Sequence, residues 1–199
     1  MFYKMIETKR NEWLASETCT VKAVIDYIVK TGQMRDAQVE AIKTYLFLKI
    51  ACGCKPLAEL FCEGAFNTLD LDDSEVSHST RKYLKENKAA AALFEYACLT
   101  NDAGEVKYLS GPVSPRLEQQ IRKEPESIDC HAFFHKAFYD LSYTDYLFSL
   151  PMGAGKTYLM AAFIYLDLYF ARNEPKNSAF AHNFIIFAPS GLKSSVVPS

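Results

Sequence analysis

A short glycine-rich segment at residues 150–157, with the sequence LPMGAGKT, constrains the fold of this 199-residue chain more than any other feature. Its Gly-Lys-Thr end matches the phosphate-binding loop pattern G-x-x-x-x-G-K-[ST], which connects a strand to a helix. Leu150 stands where the pattern has its first glycine. The neighbouring segments fit the pattern, because a short apolar run at 146–150 precedes the loop and a helical stretch at 156–171 follows it.

The residue types in this loop suit a phosphate group. Gly153 and Gly155 allow the backbone to curl, so that successive N–H groups face an anion, and the start of the following helix adds partial positive charge. We expect Lys156 to lie between the β- and γ-phosphates and the Thr157 hydroxyl to coordinate Mg²⁺. The other expected phosphate-binding positions are Pro151, Met152 and Ala154. The alternative is an ordinary glycine-rich turn that opens a helix, with Lys156 in solvent.

A second apolar run at 183–187 ends before Pro189 and predicts another strand. A strand, a loop, a helix and a second strand make a βαβ unit, which gives parallel sheet. Residues 1–142 instead have mainly helical patterns. We therefore predict an α/β chain, with a mostly helical N-terminal region at 1–142 followed at 143–199 by the first β-α-β of a phosphate-loop domain, a partial parallel sheet.

Helical spacing of apolar residues predicts helices at 20–30, 36–50, 79–99 and 128–140. The acidic stretch at 65–78 lacks a regular pattern and is predicted to be a surface loop. Six aromatic side chains are predicted to pack the helical region onto the first strand: Phe133, Phe134, Phe138, Tyr139, Tyr143 and Tyr146.

Composition excludes several classes of protein. The chain has 22 Lys plus Arg and 24 Asp plus Glu, so a net charge of −2 argues against a general nucleic-acid coat protein. The longest apolar run, at 159–171, has 13 residues, contains Asp167 and is too short to cross a bilayer. The N-terminus does not resemble a secretory signal, so the six cysteines are expected to be free thiols in the cytoplasm.

Three weaker patterns have ordinary alternatives. His131 and His135 are four residues apart and could bind zinc, but no Glu follows His131 as in a metalloprotease, and a packed or solvent-facing pair on a helix is the preferred interpretation. Cys52, Cys54 and Cys62 could be thiolate ligands, although a structural zinc site needs four and buried thiols are the simpler interpretation. A basic stripe could contact nucleic acid or be a solvated helix face: Arg81, Lys82, Lys85 and Lys88, beside Tyr83.

Three segments resemble parts of a known family. The sequence FSLPMGAGKTYLMAAFI at 148–164 resembles the nucleotide-binding loop of superfamily 2 (DEAD/DEAH-type) helicase ATPases, in particular the Res subunit of type III restriction enzymes. The sequence MRDAQVEAI at 34–42 resembles the R-x-x-Q-x-x-A segment that precedes the loop in that family. The resemblance implies that Gln38 reads the adenine edge and that Arg35 stacks near the base. The alternative is that Gln38 is an ordinary exposed helix residue, since 118 positions separate it from Lys156.

The segment FIIFAPSGLKSS at 184–195 resembles a part of these ATPases that contacts a single nucleic-acid strand. The resemblance assigns that contact to Ser190, Gly191 and Lys193, whose hydroxyl, amide and ammonium groups suit backbone phosphates.

The resemblance implies a RecA-like sheet domain, ATP and Mg²⁺ as ligands, Lys156 and Thr157 as catalytic residues, and DNA as a partner. The chain is then expected to be the N-terminal part of a DNA helicase or translocase, with a helical insertion at 50–142. A second RecA-like domain would lie outside it, and a modification or specificity subunit could be a further partner. We expect this part alone to hydrolyse ATP slower than ~1 s⁻¹. The alternatives are a small-molecule phosphotransferase and a non-catalytic helical interaction module.

Overall fold

The computed structural model describes residues 2–99 and 115–187, and within these residues the chain is helical. It divides into two compact units, unit 1 with Met1–Ser16 and Lys55–Tyr146, and unit 2 with Glu17–Cys54 and Leu147–Ser199. The helices of the described residues are, in chain order, α1 (Phe2–Ala15), α2 (Lys22–Thr31), α3 (Asp36–Leu46), α4 (Leu57–Cys62), α5 (His78–Glu86), α6 (Lys88–Cys98), α7 (Pro115–Lys123), α8 (Cys130–Ala137) and α9 (Lys156–Asn173). A π-helical turn, Phe47–Ala51, and a 3₁₀ turn, Pro125–Ser127, complete the set.

Unit 1 has an aromatic core in which α4, α6 and α8 contact one another. The rings of Phe61 and Phe134 stack with their centroids 5.2 Å apart, and both side chains are fully buried. Phe2 of α1 stacks on Tyr96 of α6 with centroids 4.1 Å apart. Ring pairs at these distances add stabilisation beyond the burial of their apolar area. The core of unit 1 is therefore built from aromatic side chains of four helices.

Two predictions for this region are wrong in part. The predicted helix at 79–99 is broken at Asn87, whose φ of −121° and ψ of 95° are extended. The Asn87 side chain donates a hydrogen bond to the Tyr83 carbonyl, a local bond that competes with a continuous helix. Of the predicted aromatic cluster, Tyr139 and Tyr143 are 85% and 62% exposed, because the chain leaves α8 before them and carries both rings into solvent.

Unit 2 is organised around the contact between α3 and α9. Tyr45 of α3 stacks on Phe163 of α9 with ring centroids 4.2 Å apart, and Phe148 lies 4.9 Å from the same ring. Leu46 and Leu166 are almost fully buried. None of the helices in the described part of the chain combines the length and the apolar character that a membrane span requires.

A buried ion pair joins the π-helical turn to α9. The Lys49 Nζ lies 3.4 Å from Asp167 Oδ2 and donates a hydrogen bond of 2.5 Å to the Ala179 carbonyl. The rings of Tyr45 and Phe180 lie 5.5 and 5.9 Å from the same ammonium group. Asp167 Oδ1 is buried without a hydrogen-bond partner among the described residues.

The predicted α/β fold is wrong. The described residues contain no strand, so the RecA-like parallel sheet, and with it the β-α-β expected at 143–199, is absent from them. Strands of a parallel sheet are covered on both faces and are held by hydrogen bonds to neighbouring strands. The apolar runs at 146–150 and 183–187 form no such ladder, and Leu147, Ile185 and Phe187 are 91%, 82% and 92% exposed.

Candidate functional site

The glycine-rich segment forms a tight turn immediately before α9. The Ala154 N–H donates to the Pro151 carbonyl at 3.3 Å, which closes the turn. Gly153 and Gly155 both have a φ of +75°, in the left-handed region that only glycine adopts at low cost. Both glycines of the motif are therefore required by the backbone conformation of the loop.

The first turn of α9 has open N–H donors. The Leu159 N–H is the first to bond within the helix, to the Gly155 carbonyl at 3.1 Å, so the N–H groups of residues 156–158 precede any intrahelical acceptor. Gly155 is the N-cap residue and has no side chain to satisfy them. Lys156 and Thr157 are exposed, and their side chains form no hydrogen bond or ion pair with the described residues. This helix start can accept an anion.

The structure brings Gln38 onto the loop, across 117 positions of sequence. Its Nε2 donates to the Gly155 carbonyl at 2.9 Å, and its Oε1 accepts from the Arg35 N–H at 2.9 Å. The second bond belongs to the capping box that begins α3. Gln38 is 3% exposed, so the interpretation of this residue as an ordinary exposed helix position does not apply.

Arg35 lies on the same loop. Its Nη1 donates to the Gly153 carbonyl, and its side chain is exposed. Residues at the start of α3 thus hold two loop carbonyls, those of Gly153 and Gly155. The Gly155 carbonyl thus accepts from both the Leu159 N–H and Gln38 Nε2, and the N–H of Lys156, in the same trans peptide, points the opposite way.

An apolar cavity of about 270 Å³ lies between the end of α2 and the first half of α9. Tyr27, Met34, Tyr158 and Tyr165 are among its lining residues, and the Tyr158 hydroxyl donates to the Gly32 carbonyl at 3.0 Å. Sequence reasoning missed this cavity. The seven-residue spacing of Tyr158 and Tyr165, which places both rings on one face of α9, is the signal that could have indicated it.

The predicted strand-contacting residues Ser190, Gly191 and Lys193 lie outside the residues that the structure describes. The basic side chains of α5 and of Lys88, the first residue of α6, were predicted as a stripe, and two of them have partners within unit 1. Lys85 forms an ion pair with Asp72 at 2.6 Å, and Arg81 Nη2 donates to the Ser74 carbonyl at 2.9 Å. These two residues hold the 65–78 loop.

The residues considered as zinc ligands do not form a metal centre. His131 and His135 are both exposed on α8, and the described ranges contain no group of three or more His, Cys, Asp or Glu side chains arranged to hold a metal ion. All six cysteines are free. Burial raises the pKa of the Cys52 thiol to about 12 and that of Cys130 to about 11, which keeps both protonated at neutral pH.

Comparisons of the chain with protein-family models, with curated proteins and with solved structures gave no match.

Proposed function

We propose that unit 2 binds a nucleoside triphosphate together with Mg²⁺ through residues 151–157. The observation that carries the proposal is the turn formed by Gly153 and Gly155, which leads into α9 with open N–H donors beside exposed Lys156 and Thr157. Backbone N–H groups at a helix start, together with an ammonium group, are the donors that a phosphate chain requires.

The side chains have separate roles in this proposal. Lys156 pairs with the terminal phosphates, and the Thr157 hydroxyl is a hard oxygen ligand of the kind that Mg²⁺ prefers. The bound Mg²⁺ would neutralise charge on the phosphate oxygens. The cavity beside α9 is lined by Tyr27, Met34 and Tyr158, whose apolar and aromatic surfaces suit a planar base.

The resemblance of residues 34–42 and 148–164 to helicase-type ATPases favours ATP as the nucleotide. It also favours an ATP-dependent DNA helicase or translocase, of the type III restriction Res type, as the activity to which these residues contribute. Because the predicted sheet is absent from the described residues, the fold does not support a motor protein. The proposal of a motor protein depends on these two segments, and the proposal of nucleotide binding depends on the loop.

The test is calorimetric titration of the chain with ATP and Mg²⁺. Lys156→Ala is expected to weaken binding about 10- to 100-fold, because it removes a charge-assisted hydrogen bond to phosphate. Lys176→Ala is the matched control, since this lysine is also exposed and follows the far end of α9. Equal affinity of wild type and Lys156→Ala would contradict the proposal.

A second titration separates the classes of function. A motor protein prefers ATP over GTP and changes its nucleotide affinity when single-stranded DNA is added. A small-molecule phosphotransferase responds to its acceptor and not to DNA. An interaction module with a purely structural loop shows no binding that depends on Lys156.

A further inference from the structure

Both polar atoms of the Gln38 amide are used inside unit 2. A glutamine that reads a base edge needs one free donor and one free acceptor. Here Oε1 already accepts from the Arg35 N–H and Nε2 already donates to the Gly155 carbonyl, each at 2.9 Å. Because the residue is only 3% exposed, little of its surface is left from which a base could contact the second amide hydrogen or the second lone pair. A base that used the bonded hydrogen and the bonded lone pair of this amide would have to break both bonds.

Gln38 and Gly155 fit each other closely. A Cβ atom built on Gly155 would lie 2.6 Å from Gln38 Nε2, closer than any van der Waals contact allows. A Cβ built on Gly153, which has the same φ of +75°, would meet nothing within 4 Å. The two loop glycines therefore differ, because Gly153 is required only by its backbone angle and Gly155 also leaves room for the Gln38 amide.

From these contacts we infer that Gln38 is a positioning residue for the phosphate loop and does not read the nucleobase. Together with the Leu159 N–H it fixes the Gly155 carbonyl, so that the Lys156 N–H of the same peptide keeps the opposite direction. This inference rests on the proposed function of the loop, and it changes the role that the resemblance gives to Gln38.

The two roles predict different responses to a ligand without a base. If Gln38 positions the loop, its removal weakens binding of inorganic tripolyphosphate and of ATP by the same factor. If Gln38 reads adenine, its removal weakens the binding of ATP alone. Tripolyphosphate with Mg²⁺ is therefore the probe, measured beside ATP and GTP by calorimetry.

Gln38→Ala is expected to weaken the binding of all three ligands about tenfold, because one hydrogen bond that orients the loop is lost. Gln119→Ala is the matched control, since Gln119 is an exposed glutamine on α7 of unit 1. Circular dichroism establishes that each variant is folded. Unchanged tripolyphosphate affinity in Gln38→Ala would overturn the inference.

The proposed function is tested separately in the same titrations. Tripolyphosphate binding that Lys156→Ala abolishes but Gln38→Ala leaves intact overturns only the inference. Absence of Lys156-dependent binding to any of the three ligands overturns the proposed function and the inference with it.

A double-mutant cycle gives a second readout that does not depend on the stability of Gln38→Ala alone. Gly155→Ala is expected to weaken tripolyphosphate binding less in the Gln38→Ala background than in wild type, because the clash with the amide has been removed. Gly153→Ala, with no such contact, is expected to have the same effect in both backgrounds. Additivity of the Gly155 and Gln38 changes would also overturn the inference.

Discussion

Each unit buries one carboxylate in a different way. In unit 1, Glu95 is 6% exposed and accepts three hydrogen bonds, from the Thr68 N–H at 2.8 Å, from the Thr68 hydroxyl, and from the Leu69 N–H at 3.1 Å. In unit 2, Asp167 is 3% exposed and has one partner, Lys49 at 3.4 Å, while its Oδ1 has none among the described residues.

The two carboxylates therefore offset the free-energy cost of burying a charge in two different ways. Glu95 is stabilised by neutral donors from a loop, so the carboxylate also holds that loop in place. Asp167 depends on a single cation, and removal of one partner of a buried pair leaves an uncompensated charge. We therefore expect unit 2 to be the more sensitive of the two to loss of one side chain.

The largest expected effect is that of Lys49→Met. It should lower the free energy of unfolding by about 3 kcal/mol, because Asp167 is left buried without its counter-ion. Chemical unfolding followed by circular dichroism measures the change. Lys43→Met is the control, because Lys43 forms a half-buried pair with Glu40, which is less enclosed than the pair of Lys49 with Asp167.

The double variant Lys49→Met/Asp167→Leu tests whether the unpaired charge on Asp167 causes this loss of stability. Replacement of both partners by apolar residues should restore most of the lost stability. A double variant as unstable as Lys49→Met would show that the charge on Asp167 is not the cause.

Glu95→Ala is expected to have an intermediate effect. It should lower stability by about 1.5 kcal/mol, because the N–H groups of Thr68 and Leu69 lose a charged acceptor. Trp13, the one tryptophan of the chain, belongs to α1 in unit 1, so its fluorescence reports the unfolding of that unit. Glu86→Ala, at an exposed position, is the control. A larger loss in Glu95→Ala than in Lys49→Met would reverse the comparison.

The smallest expected effect is the loss of folding stability at alkaline pH. Burial raises the pKa of the Cys130 thiol to about 11, whereas a cysteine thiol in an unfolded chain has a pKa of about 8.5. Between these values the unfolded state has lost the proton that the folded state retains, so stability falls as pH rises. Between about pH 8.5 and about pH 9.5, this thiol alone should lower the free energy of unfolding of unit 1 by about 1 kcal/mol.

Cys130→Ser tests the alkaline prediction, because a hydroxyl does not ionise in this range. With reductant present, Trp13 fluorescence should show a smaller loss of stability with pH in the variant than in wild type. The same dependence on pH in both proteins would exclude Cys130 as the source. Cys52 offers the corresponding measurement in unit 2, where burial raises its pKa to about 12.

The sequence was sufficient to predict helices whose apolar residues recur at helical spacing. The helix predicted at 20–30 is α2, and the helix predicted at 156–171 is α9, which begins at Lys156 as expected. Helix α1 was not predicted, because its buried set includes Arg10 beside Met5 and Trp13 and so conceals the apolar spacing.

The strand prediction failed for a physical reason. A five-residue apolar run shows that a segment can be extended or buried, but the strand itself exists only through hydrogen bonds to a neighbour, which no local pattern specifies. The run at 183–187 illustrates this, with Phe187 almost entirely in solvent.

The candidate site was predictable in its parts and not in its assembly. The loop glycines and Lys156 follow from the motif, and the resemblance singled out Gln38 and Arg35. The orientation of the Gln38 amide could not be predicted, because it is fixed by two contacts: the capping box of α3 and the carbonyl of a residue 117 positions away.

The π-helical turn at Phe47–Ala51 has a consequence for insertions and deletions. The Cys52 N–H bonds to the Phe47 carbonyl, five residues back, so this turn contains one residue more than an α-helical turn would. Deletion of a single residue from this turn would convert it to regular helix, whereas insertion of one more residue before Lys49 would rotate the following side chains by about 100° around the axis. Such an insertion would turn Lys49 away from Asp167, so the exact length of this segment matters as much as its composition.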